Sequence, residues 1–238
     1  MFKRLTVLMV LPILVCFLNT GVALAEKQEW VDKTYDFSKV KRIVIFDPNI
    51  LDKLKNGINE KEIIEIFKSK AKIEKVIIIE LSKICNNIYL DTGINLVELN
   101  QQNPSEALRI LDESLPKYAD IYVASSVNEY SMGSQYNEGY TYNTTSYQTS
   151  YVTGPGGTAT IQTPVNQTHT IPGGYVSVAY ANVRFEVYDI KTNKAIFTRI
   201  DNRQRSNDTI FEHGKPKDLY GRITKSFFDD LSKKINKE

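Results

Sequence analysis

Few residues in this sequence are placed to do chemistry. It has two histidines, His169 and His213, and one cysteine, Cys85, beyond its amino-terminal apolar run. Nothing in their spacing follows a metal-ligand pattern. Asp229-Asp230 is an adjacent carboxylate pair, but it falls outside the apolar stripe of a carboxy-terminal helix and reads as a solvated face. The nucleophile elbow G-x-S-x-G, the zinc motif H-E-x-x-H and the phosphate loop G-x-x-x-x-G-K are all absent. A carboxylate can act as general base, so scarce histidine alone does not exclude catalysis. The carboxylates here, however, form no recognisable constellation. The expectation is a non-enzymatic chain with no catalytic residue, no cofactor and no metal. An unrecognised extracytoplasmic enzyme is the alternative.

The chemistry that does stand out is that of contact. Between Tyr130 and Thr153, 15 of 24 residues are Tyr, Thr or Ser, and no charged residue occurs from Gly139 to Val183. Tyr130, Tyr136, Tyr140, Tyr142, Tyr147 and Tyr151 offer flat apolar rings with a polar tip. Such side chains supply contact area at low entropy cost. The candidate surface is these six tyrosines, and the expected partner is an envelope protein or a glycan. Gly154-Pro155-Gly156-Gly157 is a strong turn signal near the middle, so the segment is a loop or an extended hairpin. A membrane-inserting, pore-like hairpin is a rival reading. Against it, Tyr140 and Tyr142 lie on one parity and Tyr147 and Tyr151 on the other, and the stretch Thr158 to Thr170 is poor in apolar residues. Membrane insertion is therefore not expected, whereas self-association stays open.

Where this surface would act follows from the amino terminus. Lys3 and Arg4 precede an apolar run from Leu5 to Leu18, and Ala23-Leu24-Ala25 supplies small residues before Glu26. That is the three-part pattern of a signal peptide over residues 1–25, cleaved after Ala25. The apolar run is too short for a spanning helix. Cys16 lies between Val15 and Phe17 in mid-core, so it reads as part of that core and not as a lipid anchor. The product is expected to be periplasmic or extracellular. The whole chain carries a formal charge of +2, and Lys3 and Arg4 account for it. A neutral remainder argues against a nucleic-acid partner. A single remaining cysteine forms no internal disulfide, and Cys85 reads as a small core residue beside Ile84 and Ile88.

The elements that must hold the tyrosine-rich segment are legible in outline. Residues 26–39 form a polar lead-in, and 40–238 a single α/β domain with an insertion at 130–173. Val40 to Phe46 reads as a buried strand ending at Asp47-Pro48. Asn59 with Glu62 looks like a capping box, followed by Ile63, Ile66, Phe67 and Ala71 at helical spacing. Val76 to Ile79 favours a short strand. Asn103-Pro104-Ser105-Glu106 opens a helix that Pro116 is expected to stop. Ala119 to Val127 is the next strand. Tyr175 to Ile190 is a long strand whose change of parity between Tyr180 and Val183 predicts a bulge. Lys191 to Lys194 turns it into a returning strand, Ala195 to Arg205. Leu219, Ile223, Phe227, Leu231 and Ile235 then mark one stripe of a last helix. The sum is an α/β (α+β) class with one mixed sheet packed by helices.

Three stretches carry a resemblance. Lys41-Arg42-Ile43-Val44-Ile45-Phe46 looks like a first strand, Tyr118-Ala119-Asp120-Ile121-Tyr122-Val123 like an alanine-aspartate strand opening, and Asp189 to Lys194 with Phe197 like a hairpin turn. In this order they resemble bacterial envelope domains of the curli-secretion lipoprotein type. Lipoproteins that activate peptidoglycan synthases and the amino-terminal domain of the Tol-system propeller protein share the pattern. The resemblance implies a non-catalytic envelope part that binds proteins or assembles into larger bodies. It transfers no catalytic residue, and this chain departs from it in lacking a lipobox.

Overall fold

The computed structural model describes residues 25–55, 57–155, 157–206 and 214–236. The expected signal peptide short of Ala25, with Cys16, and His213 lie outside the described residues.

Ile43, Val44 and Ile45 are each essentially removed from solvent. They lie on strand β2 (Arg42–Ile45), where alternate residues face opposite sides. Ile43 and Ile45 join one apolar cluster and Val44 another. A strand covered on both faces explains the unbroken apolar run. It is flanked by parallel partners, β4 (Ile77–Glu80) and β5 (Ile121–Asn137). The short β3 (Asn49–Ile50) also pairs with β5 in parallel. The other half of the sheet is antiparallel. There β9 (Lys194–Ser206) lies between β8 (Gly174–Asp189) and an amino-terminal strand β1 (Ala25–Val31). The sheet order is β1-β9-β8-β5-β2-β4. The fold is thus the expected mixed α/β class, and the lead-in contains the edge strand β1.

Helices cover the sheet from both sides. Between β3 and β4 come α1 (Asp52–Lys55) and α2 (Glu60–Lys70). After β4 come α3 (Leu81–Thr92), α4 (Leu96–Gln102) and α5 (Pro104–Tyr118). The last helix is α6 (Pro216–Asn236). Ile84, Ile88, Leu96, Ala107 and Leu115 from α3–α5 pack around Val44. Ile63 and Phe67 of α2 pack with the buried stripe Leu219, Ile223, Phe227, Leu231 and Ile235 of α6 on the opposite cluster. Phe227 stacks on Phe185 of β8, with ring centres 4.1 Å apart. Cys85 on α3 is half-buried against the Val44 cluster, and burial raises its thiol pKa.

Several local expectations change. Asn59 occupies the cap position of α2, but its side chain makes no capping bond. Pro116 does not stop α5, which runs on to Tyr118. A proline there forfeits one backbone bond. The last turn is held by buried Leu115 and by the Tyr118 hydroxyl, which donates to Asp91 at 2.6 Å. The pairing of β8 with β9 is continuous through Tyr180 to Val183, and its irregularity sits at Val187/Tyr188 beside the turn. Val178 and Ala179 are both fully buried, so the parity change in the sequence reflects burial of neighbouring residues and not an inserted one. Helices α3 and α4 have no counterpart in the sequence reading. Gly93, at φ 74°, ends α3, and the Asn95 side chain caps α4 by accepting from Val97 and Glu98.

Asp230 also departs from the solvated face expected of it. Arg199 of β9 is fully buried, and its guanidinium donates to Asp201, to Asp230 at 3.0 Å and to the Ser226 hydroxyl at 2.8 Å. Asp201, itself fully buried, also accepts from Arg203. Lys27 of β1 reaches Asp230 at 2.6 Å, so the group ties β1, β9 and α6 together. Asp229 next to it pairs with Lys225 on the exposed side.

Candidate contact surface

The chain divides into two compact units. One holds the described residues up to Gly133 and from Val178 onward, and the other is Ser134–Ser177. The second unit contains a sheet of its own, formed by β6 (Tyr140–Gly154) and β7 (Gly157–Ile171). The two strands pair antiparallel over their whole length, from Gly154↔Gly157 to Tyr140↔Ile171. Thr, Tyr and Val favour the pleated strand. At about 3.4 Å per residue each strand reaches roughly 50 Å.

The register sorts the side chains. Even-numbered residues of β6 share a face with odd-numbered residues of β7. That face holds Tyr140, Tyr142, Ile161, Val165, His169 and Ile171. The Tyr142 ring stacks on His169 at 5.1 Å, and the Thr144 hydroxyl lies 2.9 Å from His169 Nε2. The opposite face is a ladder of hydroxyls and amides. Thr141 pairs with Thr170 at 3.3 Å, Thr168 donates to Asn143 at 2.7 Å, and Thr145 donates to Asn166 at 2.8 Å. Tyr147 and Tyr151 stand on this second face and are 66% and 73% exposed.

Of the six tyrosines, the hairpin therefore carries four, two on each face. Tyr136, near the end of β5, packs edge-on against Tyr175 at 5.2 Å within the same unit. Tyr130 belongs to the other unit, where it is half-buried against the main core. Burial pushes its phenol up to about 12. The structure therefore groups Tyr140 with Tyr142 and Tyr147 with Tyr151, and Tyr130 belongs to the other unit.

Ile161, Val165 and Ile171 were not singled out in the sequence, because they are scattered along it, and His169 was weighed there only as a metal ligand. Folding the sequence about its Gly-Pro-Gly-Gly turn and counting outward places Ile171 opposite Tyr140 and His169 opposite Tyr142, with Val165 and Ile161 farther along the same face. The midpoint of that face is Ser146, Gln148 and Ser150 opposite Val165, Thr163 and Ile161. Among the described residues no group of three His, Cys, Asp or Glu is placed to hold a metal ion. Cys85 lies on α3 in the first unit and His169 in the second.

No protein-family model matches the sequence, and no curated protein matches it either. Solved structures do. A chain of the PelC dodecamer from Paraburkholderia phytofirmans is similar at 7% identity and a TM-score of 0.43, covering 85% of this chain and 94% of that one. The lipoprotein GNA1162 from Neisseria meningitidis is similar at 11% identity and a TM-score of 0.33, covering 81% of this chain and 98% of that one. At these identities no residue role passes from either protein to this chain.

Proposed function

We propose that this chain is an exported, non-catalytic module of the bacterial envelope that works by contact, and that the β6–β7 hairpin is its contact surface. One observation carries the reading: a paired ribbon without a single charged side chain holds Tyr147 and Tyr151 out to solvent on one face. Exposed aromatics that no core uses are costly to leave in water and cheap to bury against a partner. The lack of charge leaves no long-range steering, so contact there depends on shape, ring faces and hydroxyl hydrogen bonds. An envelope protein or a glycan offers such a counterpart.

Replacing residues 140–171 with a short Gly-Ser linker tests this. The first unit should stay folded by circular dichroism while capture of envelope proteins and glycans is lost. Undiminished capture by the folded, truncated chain would overturn the reading.

A further inference from the structure

A two-stranded ribbon has two outer edges, and among the described residues neither edge of β6–β7 has a partner. Isolated ribbons of two strands are marginal in water, and an open edge invites a further strand. Elsewhere this molecule guards such edges. The end strand β1 carries Glu26, Lys27 and Glu29, and the other end strand, β4, is only four residues long.

The edges of the ribbon are not equivalent. Pairs of an antiparallel ladder alternate between hydrogen-bonded and non-hydrogen-bonded. Pro164 has no N–H to give, and its place inside the continuous ladder makes Tyr147↔Pro164 a non-hydrogen-bonded pair with the missing donor turned outward. The ring of Pro164 thus blocks the outer edge of β7 at its middle. The outer edge of β6 has no proline, no charge and no pairing irregularity over 15 residues. Its outward N–H and C=O groups belong to the odd-numbered residues.

We infer that β6 pairs with β6 of a second copy of this chain, antiparallel and centred on Tyr147. This rests on the reading of the hairpin as a contact surface and names its partner. The edge is uncharged, so a two-fold axis brings no like charges together. Centring on Tyr147 sets Thr145 opposite Thr149 of the second copy and uses the whole strand. It forms about seven hydrogen-bonded pairs, each exchanging two bonds. The product is a four-stranded sheet whose remaining edges are both β7, each carrying Pro164. Such an assembly closes at two copies.

Sedimentation of the processed chain should give twice the protomer mass. Thr149→Pro removes one outward N–H of β6 in the way Pro164 does for β7, leaves the bonds to β7 intact, and should give a monomer. Thr145→Lys, which sets charges along the same edge, should do the same without touching the backbone. A nitroxide placed by Y147C in a C85S background should show dipolar broadening in the wild-type register. A monomeric wild-type chain, or association unchanged in both edge variants, would overturn the pairing. So would a larger ring, which requires β6 to meet β7. A monomeric full chain that still needs residues 140–171 for envelope capture overturns the pairing alone. Capture without those residues overturns the contact reading itself.

Discussion

Asp120 and Arg42 hold each other through both backbone and side chain. The Asp120 carboxylate accepts the backbone N–H of Arg42 at 2.9 Å and its guanidinium at 3.4 Å, while the Asp120 N–H donates to the Arg42 carbonyl at 2.9 Å. The same carboxylate accepts the N–H of Lys41 at 2.9 Å. These bonds fix where β5 starts against β2, and so fix the register of the parallel centre of the sheet. The alanine-aspartate opening noted in the sequence therefore has a structural task.

Removing that carboxylate should be costly. Asp120→Ala strands the Lys41 and Arg42 donors at a half-buried site, and hydrogen bonds to charged groups are worth about 1.5–3 kcal/mol. Burial alone would raise the Asp120 pKa, but the two backbone donors and the Arg42 guanidinium outweigh it and hold it below its ordinary value. A carboxylate depressed in the folded state stabilises above its unfolded pKa and loses that contribution as pH falls through the folded value. Urea unfolding should show the full deficit of Asp120→Ala near pH 7 and a shrinking one below about pH 4. A deficit independent of pH would show that the charge is not involved.

Arg199 and Asp201 are both fully buried and directly bonded. Deleting one partner leaves an uncompensated charge, at a cost of about 3–5 kcal/mol, whereas apolar residues at both positions cost much less. Arg199→Met should therefore lower the melting temperature more than Arg199→Met with Asp201→Leu. Arg203 loses a partner in the double variant, but Asp230 keeps Lys27 at 2.6 Å and Lys233 at 3.2 Å, so adding Asp230→Asn to it should recover no stability. Calorimetry of the three variants checks the order, and a double variant worse than the single would refute it.

The contrast between these two groups marks what the sequence could say. Asp120 was legible because its partners are the backbone at the start of a strand, and its neighbour Ala119 and the apolar run after it announce that place. The β2 run and the α6 stripe were legible for the same reason: local periodicity and burial coincide. Asp230 was not, since its partners Arg199 and Lys27 are on strands remote in sequence, and only the β1–β9 pairing brings them together. Helices α3 and α4 escaped because Leu81 to Gln102 has a mixed polar surface with few fully buried residues. Tyr130 was grouped with the hairpin tyrosines by composition, whereas it packs against the main core beside Ile121, Val123 and Val127, which strict alternation along β5 would not place it with. The hairpin register, by contrast, was present in the turn and needed only counting.

The base of the hairpin offers a sharper handle than its tip. At Gly139 an added Cβ would lie 2.6 Å from the Ile171 carbonyl oxygen and 2.9 Å from the Pro172 carbonyl carbon. Real Cβ atoms do not approach backbone so closely, and backbone cannot swing aside as a flexible side chain can. Gly173 faces the same restriction, with Tyr136 Oη 2.6 Å and the Gly139 nitrogen 2.8 Å from its hypothetical Cβ. Both glycines lie in the second unit, outside the main core. Gly139→Ala should therefore pry apart the first pairs, Tyr140↔Ile171 and Thr141↔Thr170, while the first unit keeps its stability. Hydrogen exchange should quicken over residues 140–145 and 166–171 and stay slow in β2, β5 and β8. Gly174→Ala is the control, because a Cβ there meets nothing within 4 Å. Equal exchange in the two variants would mean that the close approach at Gly139 does not hold the ribbon together.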